Sequence, residues 1–463
     1  MEPNDDSLTR LQFLIASGVA GALAVCAKSQ DPQFLVEPGD KHYESLRSRY
    51  NTCVDLRPAA IAPCTKPPHV MRAVQHANRT QLPIAIRSGG HSFEGFSSNN
   101  KGLVIDLSRM DRVQFLDDNR IAVEPGCTLA KLNDELLPRG RLLPAGSCGT
   151  VGIAGLALGG GYGFFSRKLG LTCDSLEALS LIDAAGKLRS TKDDPELLWA
   201  CRGGGNGSFG VVIEMVFRTH TAPVNCTRHR LRVRGLDLPR ASKLLEAWFE
   251  HSAKLPPGHF SAFVLNHTSL LVLVFGHGDE GPAVERFLRD FGELCDETQR
   301  GTPQPLAKSL VGHYGRVGPL PFKNASAGLY RDFDDLRKAA PGALDVVLQT
   351  PGLIFQVNTL GGAIADPAAA AVSSYPHRDR PWLGELQAYW DKPAQKAPLL
   401  DAFKKTQNIL RVNGITSHYA NYPDIAFTDW EQAYYGGNYE RLRAVKRRYD
   451  PDNRFRHPQS VRP

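Results

Sequence analysis

The sequence predicts an α+β protein with two domains, and three observations lead to that fold class. The chain has 463 residues, more than the roughly 100–200 residues of one typical domain. Short strands alternate with helices over residues 45–222, where three Gly-rich loops also occur. From residue 223 the pattern changes to longer amphipathic helices between strands. With 42% hydrophobic and 22% charged residues, the composition is typical of a globular protein.

The first domain, residues 45–222, is built from short elements. "AIAPCTKPPHVMRAV" predicts a strand followed by a helix that prolines open. "KGLVIDLSRM", "RIAVEPGCTL" and "GVVIEMVFRTH" predict strands, and "EALSLIDAAGKLRST" predicts two strands joined by a tight turn. "LAKLNDELL" and "DDPELLWACR" predict helices, the second with Asp and Pro at its start.

The second domain, residues 223–420, combines helices with a sheet. "LLEAWFEHSAKL" and "EGPAVERFLRDFGEL" are amphipathic helices, and "SLLVLVFGH", "GLIFQVNTLGGAI" and "WLGELQAYW" are strands between them. This alternation predicts a sheet with helices on one face. The segment 421–463 returns to Gly-rich and aromatic motifs, so we expect it to dock on the first domain.

The charge distribution argues against a nucleic-acid-binding surface, and the cysteine spacing argues against a metal site. The net charge is +7, and the densest basic run, "RLRAVKRRYD", predicts an exposed helix face and not a nucleic-acid surface. No Cys/His spacing typical of a metal site occurs among the nine cysteines. Two disulfides are possible, Cys53 with Cys64 and Cys226 with Cys295, but the sequence does not decide whether either of them forms.

The N-terminal segment, residues 1–35, contains a charge-free apolar run, "LQFLIASGVAGALAVCA", at 11–27. Such a run ending in small residues is typical of a secretory signal peptide, which predicts export to the periplasm or the exterior. The acidic residues before it fit a signal less well. An ordered N-terminal helix, a wrongly assigned start codon and a cytoplasmic location therefore stay as alternatives. No other apolar run is long enough to predict a membrane span.

Two nucleophiles lie among the glycines of the first domain. His91 is in "RSGGHS" (87–92), and Cys148 is in "PAGSCGTVGIAGLALGGGYG" (144–163). A third stretch, "CRGGGNGSFG" (201–210), contains a formal GxGxxG, but it follows a helix and precedes a strand, which excludes a Rossmann site. Gly-rich loops still offer many free backbone N–H groups for a pyrophosphate. Plain turn glycines, and a buried structural cysteine, are the alternatives.

These segments, with "LLWACRGGGNGSFGVV" and "AYYGGNYERLRAVKRRYDPDNRF", resemble the berberine-bridge-enzyme-like flavoprotein oxidases of the vanillyl-alcohol-oxidase type over about residues 45–460. The resemblance implies a two-part FAD-binding domain and a substrate domain of antiparallel sheet covered by helices. It also implies FAD attached twice, by His91 Nδ1 to the flavin 8α-methyl and by the Cys148 sulfur to flavin C6. The family usually has Cys-Pro-Thr-Val where this chain has Cys-Gly-Thr-Val, which predicts a more flexible loop around Cys148.

The same resemblance assigns the other site residues. Tyr422 matches the family's catalytic tyrosine, and its pKa must be lowered from about 10 for it to act as a base near neutrality. Gln356, Asn358 and Gln387 are predicted to hold substrate hydroxyls and orient Tyr422, the alternative being a solvated sheet face. Tyr434 and Tyr435 are weaker catalytic candidates. The remaining residues predicted to contact FAD are Arg87, Ser88, Gly89, Gly90, Ser92, Gly146, Thr150, Val151, Gly152, Gly155, Gly160, Gly161, Gly163, Gly210, Val212, Tyr435 and Asn438.

The resemblance therefore implies an oxidase that moves a hydride from an alcohol or hemiacetal carbon to FAD, with O2 as acceptor and H2O2 as product. C1 of a sugar or oligosaccharide is the first expectation. The alternatives are an oxidase of specialised metabolism acting on an antibiotic glycoside or an alkaloid, a quinone-linked dehydrogenase, and a non-catalytic flavin or carbohydrate-binding protein. The intact Tyr422 argues against the last, and Val151 favours oxygen as the acceptor.

Overall fold

The structure is a computed structural model that describes residues 34–278, 280–314 and 318–463. The apolar run at 11–27, and with it the predicted signal peptide, lies outside the described residues. Within them, no helix combines the length and the apolar character that crossing a bilayer requires.

The first domain contains three small sheets. Its strands are β1 Ala60–Pro63, β2 Ile84–Arg87, β3 Leu103–Asp106, β4 Val113–Phe115, β5 Arg120–Val123, β6 Arg141–Leu142, β7 Leu176–Ile182, β8 Leu188–Ser190, β9 Val211–Arg218 and β10 His220–Thr221. Strands β1, β3 and β2 form a parallel sheet in that order. Strands β4, β5, β9, β7 and β8 form an antiparallel sheet, and β6 pairs with β10. The Gly-rich loops lie between these sheets.

The helices of the first domain are short, except Pro67–Thr80, which has 14 residues. They are α1 Tyr43–Arg47, α2 Pro67–Thr80, α3 Leu129–Leu136, α4 Ile153–Leu158, α5 Ser166–Leu169 and α6 Pro195–Cys201. Helix α6 begins as its sequence predicts, because the Asp194 side chain accepts hydrogen bonds from the backbone N–H groups of Glu196 and Leu197.

The second domain is one large antiparallel sheet. Its strands are β11 Asn225–Val233, β12 His259–Asn266, β13 Ser269–Gly276, β14 Glu297–Gln299, β15 Gln304–Pro305, β16 Phe322–Tyr330, β17 Leu353–Thr359 and β18 Trp382–Tyr389. The order across the sheet is β14, β11, β13, β12, β17, β18, β16, and β15 pairs with β11. Successive residues of a strand face opposite sides, so one side of this sheet packs on helices and the other is left for the site.

The helices of the second domain and of the C-terminal segment complete the fold. They are α7 Leu238–Ala253, α8 Gly281–Asp290, α9 Leu306–Val311, α10 Phe333–Arg337, α11 Ala340–Gln349, α12 Pro367–Ala371, α13 Pro393–Val412, α14 Trp430–Tyr435 and α15 Tyr439–Tyr449. Residues of α7, α8, α11 and α13 form the largest apolar core with the sheet. Residues of α14 and α15 pack with the first domain in a separate core.

One basic residue of α15 departs from the sequence prediction. In the run "RLRAVKRRYD" the expected exposed basic face is present at Arg441, Arg447 and Arg448, but Lys446 within it is completely buried. Its ammonium donates hydrogen bonds to the Ser208 and Phe455 carbonyls at 2.7 and 2.6 Å and pairs with Asp450 at 2.6 Å. A buried ammonium needs such compensation, so Lys446 fixes the C-terminal helix to the first domain.

The cysteines described by the structure are all free thiols. Neither of the two possible pairs, Cys53 with Cys64 and Cys226 with Cys295, forms a disulfide. Within the same residues, no group of His, Cys, Asp and Glu side chains has the arrangement of a metal site.

Candidate active site

A cavity of about 1080 Å³ lies between the Gly-rich loops and the helix-free face of the large sheet. The loops contribute His91 and Cys148, the sheet contributes Gln356 and Gln387, and the C-terminal segment contributes Tyr422. Residues distant in sequence therefore meet in one space, which is large enough for a cofactor and a substrate together.

His91 and Cys148 converge on Thr150. The His91 Nε2 atom lies 2.9 Å from the Thr150 hydroxyl oxygen, and the Cys148 sulfur lies 3.6 Å from that same oxygen. The contact occupies Nε2, which is not the nitrogen that the predicted flavin linkage uses. The structure thus brings together the two residues that the sequence singles out as nucleophiles.

The imidazole of His91 is held in a neutral state. Burial lowers its pKa from 6.5 to about 4, because removal from water disfavours the charged form. The ring also stacks on Tyr50, with the two centroids 4.0 Å apart. A neutral, oriented imidazole is the form that can act as a nucleophile.

The loops that carry the two nucleophiles approach each other backbone to backbone. A Cβ atom at Gly89 would lie only 2.3 Å from the Gly152 nitrogen, so no side chain fits at this position. Ser88, Gly90 and Gly155 line the cavity beside this contact. The result is a narrow cradle of backbone and small side chains, which suits the flat rings and phosphates of a flavin nucleotide.

Gly149, where the family usually has proline, lies against an aromatic ring. A Cβ atom at Gly149 would be 2.9 Å from the ring of Tyr314 and 3.2 Å from the Ala130 Cβ atom. The Tyr314 hydroxyl accepts a hydrogen bond from the Asn133 amide at 3.2 Å. The departure from the family pattern therefore makes room for Tyr314 beside Cys148.

Tyr422 is hydrogen-bonded to a second tyrosine, Tyr162, with their hydroxyl oxygens 2.8 Å apart. The Asn358 amide donates to the Tyr162 hydroxyl at 3.2 Å. Asn358 accepts from Gln356 at 2.8 Å, and Gln356 accepts from Gln387 at 3.1 Å. The three polar residues that the sequence places on neighbouring strands therefore form one chain of hydrogen bonds that ends at the tyrosine pair.

A base near neutrality needs a lowered pKa at Tyr422, and the described protein groups by themselves act in the opposite direction. Burial raises this pKa well above 10, and the charge of Glu385 adds to the effect. The phenolic ring also stacks on Phe93, with centroids 5.3 Å apart. The protein groups around Tyr422 thus favour its neutral form.

Glu385, on β18, lines the cavity and was missed in the sequence analysis. Burial raises the pKa of its carboxyl group from 4.5 to about 8, while hydrogen bonds from Gln387 and Asn324 act in the opposite direction. The Asn324 amide also donates to the Tyr389 hydroxyl at 2.8 Å. A signal was present: Glu385 is two residues before Gln387 in "WLGELQAYW", so both side chains face the same side of the strand.

Lys323 connects the His91 loop with the Tyr422 loop. Its ammonium pairs with Glu94 and, at 2.9 Å, with Asp424. Burial lowers the pKa of Lys323, but the two carboxylates more than offset this and raise it overall. Because Glu94 follows His91 by three residues and Asp424 follows Tyr422 by two, this ion pair fixes both loops to β16.

Most of the predicted site residues line the cavity, and five do not. Those that line it are Tyr422, Gln356, Asn358, Gln387, His91, Cys148, Ser88, Gly89, Gly90, Ser92, Gly146, Val151, Gly152, Gly155, Gly163, Gly210, Val212 and Tyr435. The other five predicted residues are Arg87, Thr150, Gly160, Gly161 and Asn438. Tyr434, the weaker catalytic candidate, lines the cavity but binds the Asp424 backbone N–H at 3.0 Å.

The five residues outside the cavity have contacts within the protein. Arg87 pairs with Asp106 at 3.2 Å, and the Asn438 amide donates to the Ser374 carbonyl at 3.0 Å. Gly161 donates its backbone N–H to the Tyr419 hydroxyl at 2.8 Å, and Gly160 packs against Tyr419 and Tyr375. Thr150 acts through its contact with His91. These residues support the walls of the cavity without lining it.

Comparison with known proteins identifies the family. Residues 58–192 match the FAD binding domain family, and residues 418–462 match the "Berberine and berberine like" family. An uncharacterised FAD-linked oxidoreductase of Bacillus subtilis, YgaK, is 30% identical, with 93% of this chain and 96% of that protein covered. The chain belongs to the berberine-bridge-enzyme-like FAD-linked oxidoreductases. The family predicted from the sequence is therefore confirmed.

Relatives with named activities have similar coverage. The aclacinomycin-N/aclacinomycin-A oxidase of Streptomyces galilaeus is 32% identical, with 92% of this chain and 89% of that protein covered. The chitooligosaccharide oxidase of Gibberella zeae is 29% identical, with 92% and 91% covered. A solved structure titled chitooligosaccharide oxidase superposes with a TM-score of 0.83 at 27% identity, covering 93% of this chain and 97% of the other. The predicted fold class is confirmed, and the protein is an FAD-dependent oxidoreductase of this family.

Proposed function

We propose that the protein oxidises a CH–OH group by transferring a hydride to FAD, with O2 as the electron acceptor and H2O2 as the product. The observation that carries this proposal is the arrangement of the cavity, where His91 and Cys148 face the same space as the Tyr162–Tyr422 pair. One end thus offers attachment points for a flavin, and the other offers groups for a hydroxyl proton.

The residues present fit FAD. His91 and Cys148 would hold it covalently, by the 8α-histidyl and 6-S-cysteinyl bonds, and the cradle at Gly89 and Gly152 would receive its phosphates and ring edge. When bound, FAD supplies the hydride acceptor and the reaction with oxygen. The neutral state of His91 supports its role as the nucleophile in the first bond.

Tyr422 is the proposed proton acceptor for the substrate hydroxyl. Either hydroxyl of the tyrosine pair can donate to the other. Once Tyr422 is ionised its oxygen can only accept, so in that form Tyr162 donates to Tyr422 while its own oxygen accepts from the Asn358 amide. A donor aimed at Tyr422 stabilises negative charge on its oxygen. Glu385 must then be neutral during the step, because its charge raises the pKa of Tyr422.

The amides on the sheet are the proposed contacts for the other hydroxyl groups of the substrate. Gln356 and Gln387 are half-buried at the cavity surface, and amides both donate and accept hydrogen bonds. This polarity, together with the carbohydrate-oxidising relatives, supports a sugar hemiacetal carbon as the reacting centre. The aclacinomycin relative supports the runner-up, an oxidase of specialised metabolism.

The test begins with purified protein precipitated by acid, which keeps covalent flavin with the protein. Mono- and oligosaccharides and simple alcohols are then screened by peroxide release and by anaerobic flavin bleaching. The proposal predicts bleaching and peroxide with at least one CH–OH substrate. Bleaching followed by electron transfer to quinone dyes, without peroxide in air, would instead establish a dehydrogenase.

A further inference from the structure

The face of the large sheet that lines the cavity is divided into a polar and an apolar half. The strand register aligns Leu271, Val264, Gln356 and Glu385 in one row across β13, β12, β17 and β18. Two apolar side chains are thus followed by two polar ones. At a strand spacing of about 4.8 Å, the row spans about 14 Å, so the division extends beyond a single sugar ring.

The row on one side shows the same division on β13, β12 and β17. Ala262 of β12 pairs with Leu273 of β13 on one side and with Asn358 of β17 on the other. Val264, Leu271 and Leu273 are half-buried, and all three line the cavity. The row on the other side reverses the order, because Asn266 of β12 pairs with Ile354 of β17 and both line the cavity. The apolar half is therefore the patch of Val264, Leu271 and Leu273 on β12 and β13, and it ends at Asn266.

The apolar half adjoins the reacting groups. Val264 and Leu273 belong to the same apolar cluster as Phe164 and Tyr162, and Tyr162 is hydrogen-bonded to Tyr422. His313 also lines this end, and burial lowers its pKa to about 4, which makes it neutral. A substrate that reaches Tyr422 therefore has apolar surface beside it on one side and amides on the other.

We infer that the substrate carries an apolar group, bound against β12 and β13, next to the hydroxyl-bearing unit that is oxidised. This inference rests on the proposed function for the oxidised end. A bare oligosaccharide would place hydroxyls against Val264, Leu271 and Leu273, where desolvated hydroxyls without partners are unfavourable. An alkyl, aryl or acyl group would instead gain the free energy of apolar burial.

The experiment compares two sugars that differ only in apolar length, 6-O-acetylglucose and 6-O-octanoylglucose. Both keep a free anomeric hydroxyl, and the second has six more methylenes. Each buried methylene contributes about fourfold in affinity, the equivalent of about 0.8 kcal/mol. Because the cavity limits how many are buried, we expect binding to be at least tenfold tighter for the octanoyl ester.

Binding is measured separately from turnover. The 6-O-acetyl and 6-O-octanoyl esters of 1,5-anhydroglucitol lack the oxidisable C1 hydroxyl, and their binding is followed by the change in flavin absorbance of the holoenzyme. Tighter binding of the octanoyl ester supports the inference even if no sugar is oxidised, a result that would count only against the proposed function. Equal binding of the two esters, or tighter binding of cellotetraose, would overturn the inference even if sugars are oxidised.

Variants locate the apolar contact. Leu271→Asn and Leu273→Asn replace apolar side chains with polar ones of similar size, and each should reduce the octanoyl-to-acetyl ratio at least fivefold. Val412→Asn makes the same kind of change at an exposed position outside the cavity, and it should keep the ratio of the wild type. An unchanged ratio in both leucine variants would contradict placement of the apolar group on β13. Reading a ratio within each protein removes the effect of altered folding yield.

Discussion

Replacing Glu385 with glutamine tests whether a neutral carboxyl group lies beside the proposed base. The side chain is buried, at 6% exposure, and burial raises its pKa from 4.5 to about 8. Glutamine keeps the size and hydrogen-bonding capacity of the protonated acid but cannot ionise. The variant should therefore match the wild type at low pH and differ from it as the pH rises.

The sign and the magnitude of the expected change in stability follow from proton binding by Glu385. Between pH 4.5 and 8 the folded protein holds a proton on Glu385 that the unfolded chain has lost, so the contribution of this group to stability is full below pH 4.5 and decreases up to pH 8. A pKa difference of one corresponds to about 1.4 kcal/mol. The total loss is on the order of 5 kcal/mol, of which about 3 kcal/mol falls between pH 5.5 and 8.5.

The assay is urea unfolding of both proteins at pH 5.5 and 8.5, followed by tryptophan fluorescence. Subtracting the free energy of unfolding of the wild type from that of the variant removes the contributions of all groups that the two proteins share. The free energy of unfolding of Glu385→Gln, taken relative to the wild type, should increase by about 3 kcal/mol between pH 5.5 and pH 8.5. A gain below about 1 kcal/mol would refute the argument, because Glu385 would then already be ionised in the folded protein at pH 5.5.

The same variant separates Glu385 from Tyr422 as the base. Ionised Glu385 raises the pKa of Tyr422, so anaerobic flavin reduction in the wild type should slow above pH 8, and Glu385→Gln should not show this decrease. If Glu385→Gln instead abolishes flavin reduction at pH 7, the carboxyl group and not Tyr422 accepts the proton.

Three further predictions concern the tyrosine, the flavin linkages and oxygen. Tyr422→Phe should slow anaerobic flavin reduction by about 10²–10⁴-fold. The control, Tyr439→Phe, lies outside the cavity and should leave the rate unchanged. Equal rates in the two variants would exclude Tyr422 as the proton acceptor. His91→Ala and Cys148→Ala should each keep flavin bound to the acid-precipitated protein, and the double variant should release it. A wild type that releases all its flavin on acid precipitation would contradict both linkages. By family resemblance the Val151 side chain borders the flavin where O2 must approach, so the extra methylene of Val151→Leu should slow stopped-flow reoxidation in air while reduction by substrate continues. Reoxidation at the wild-type rate would contradict this role.

The sequence predicts the loop part of the site because its chemistry is local. His91 and Cys148 are in short Gly-rich segments that are specific as an ordered set, and the family resemblance carried by that set singles out both residues. Their meeting at Thr150 depends on the parallel sheet and on the close contact between Gly89 and Gly152. Glycines at such positions mark close backbone approach, so this part of the structure follows from a pattern that the sequence shows directly.

The sheet part of the site depends on register, which the sequence does not contain. Strands β11, β12 and β16 are missing from the sequence prediction. In β11, "NCTRHRLRV", the alternation typical of a strand is present but did not enter that prediction, whereas β16 is nearly all buried and shows no alternation. Without β12 and β16 there was no reason to group Val264 with Gln356, or Asn324 with Glu385. Resemblance places Gln387, and the shared strand face places Gln356 with Asn358, whereas for Glu385 the sequence offers only its position two residues before Gln387. Its pairing with Gln356 is seen only in the structure.

The pairing of Lys323 with Glu94 and Asp424 explains how these two parts act as one site. Loops are the more mobile segments of most folds, and a reaction between a cofactor on one loop and a base on another needs their separation to be fixed. Lys323 lies on β16, the strand that also carries Asn324, so the ion pair joins both loops to the sheet that we propose binds the substrate. Removing one partner of such a buried group leaves an uncompensated charge. The relative positions of His91, Tyr422 and the sheet amides therefore depend on a residue that lies outside every motif of the sequence.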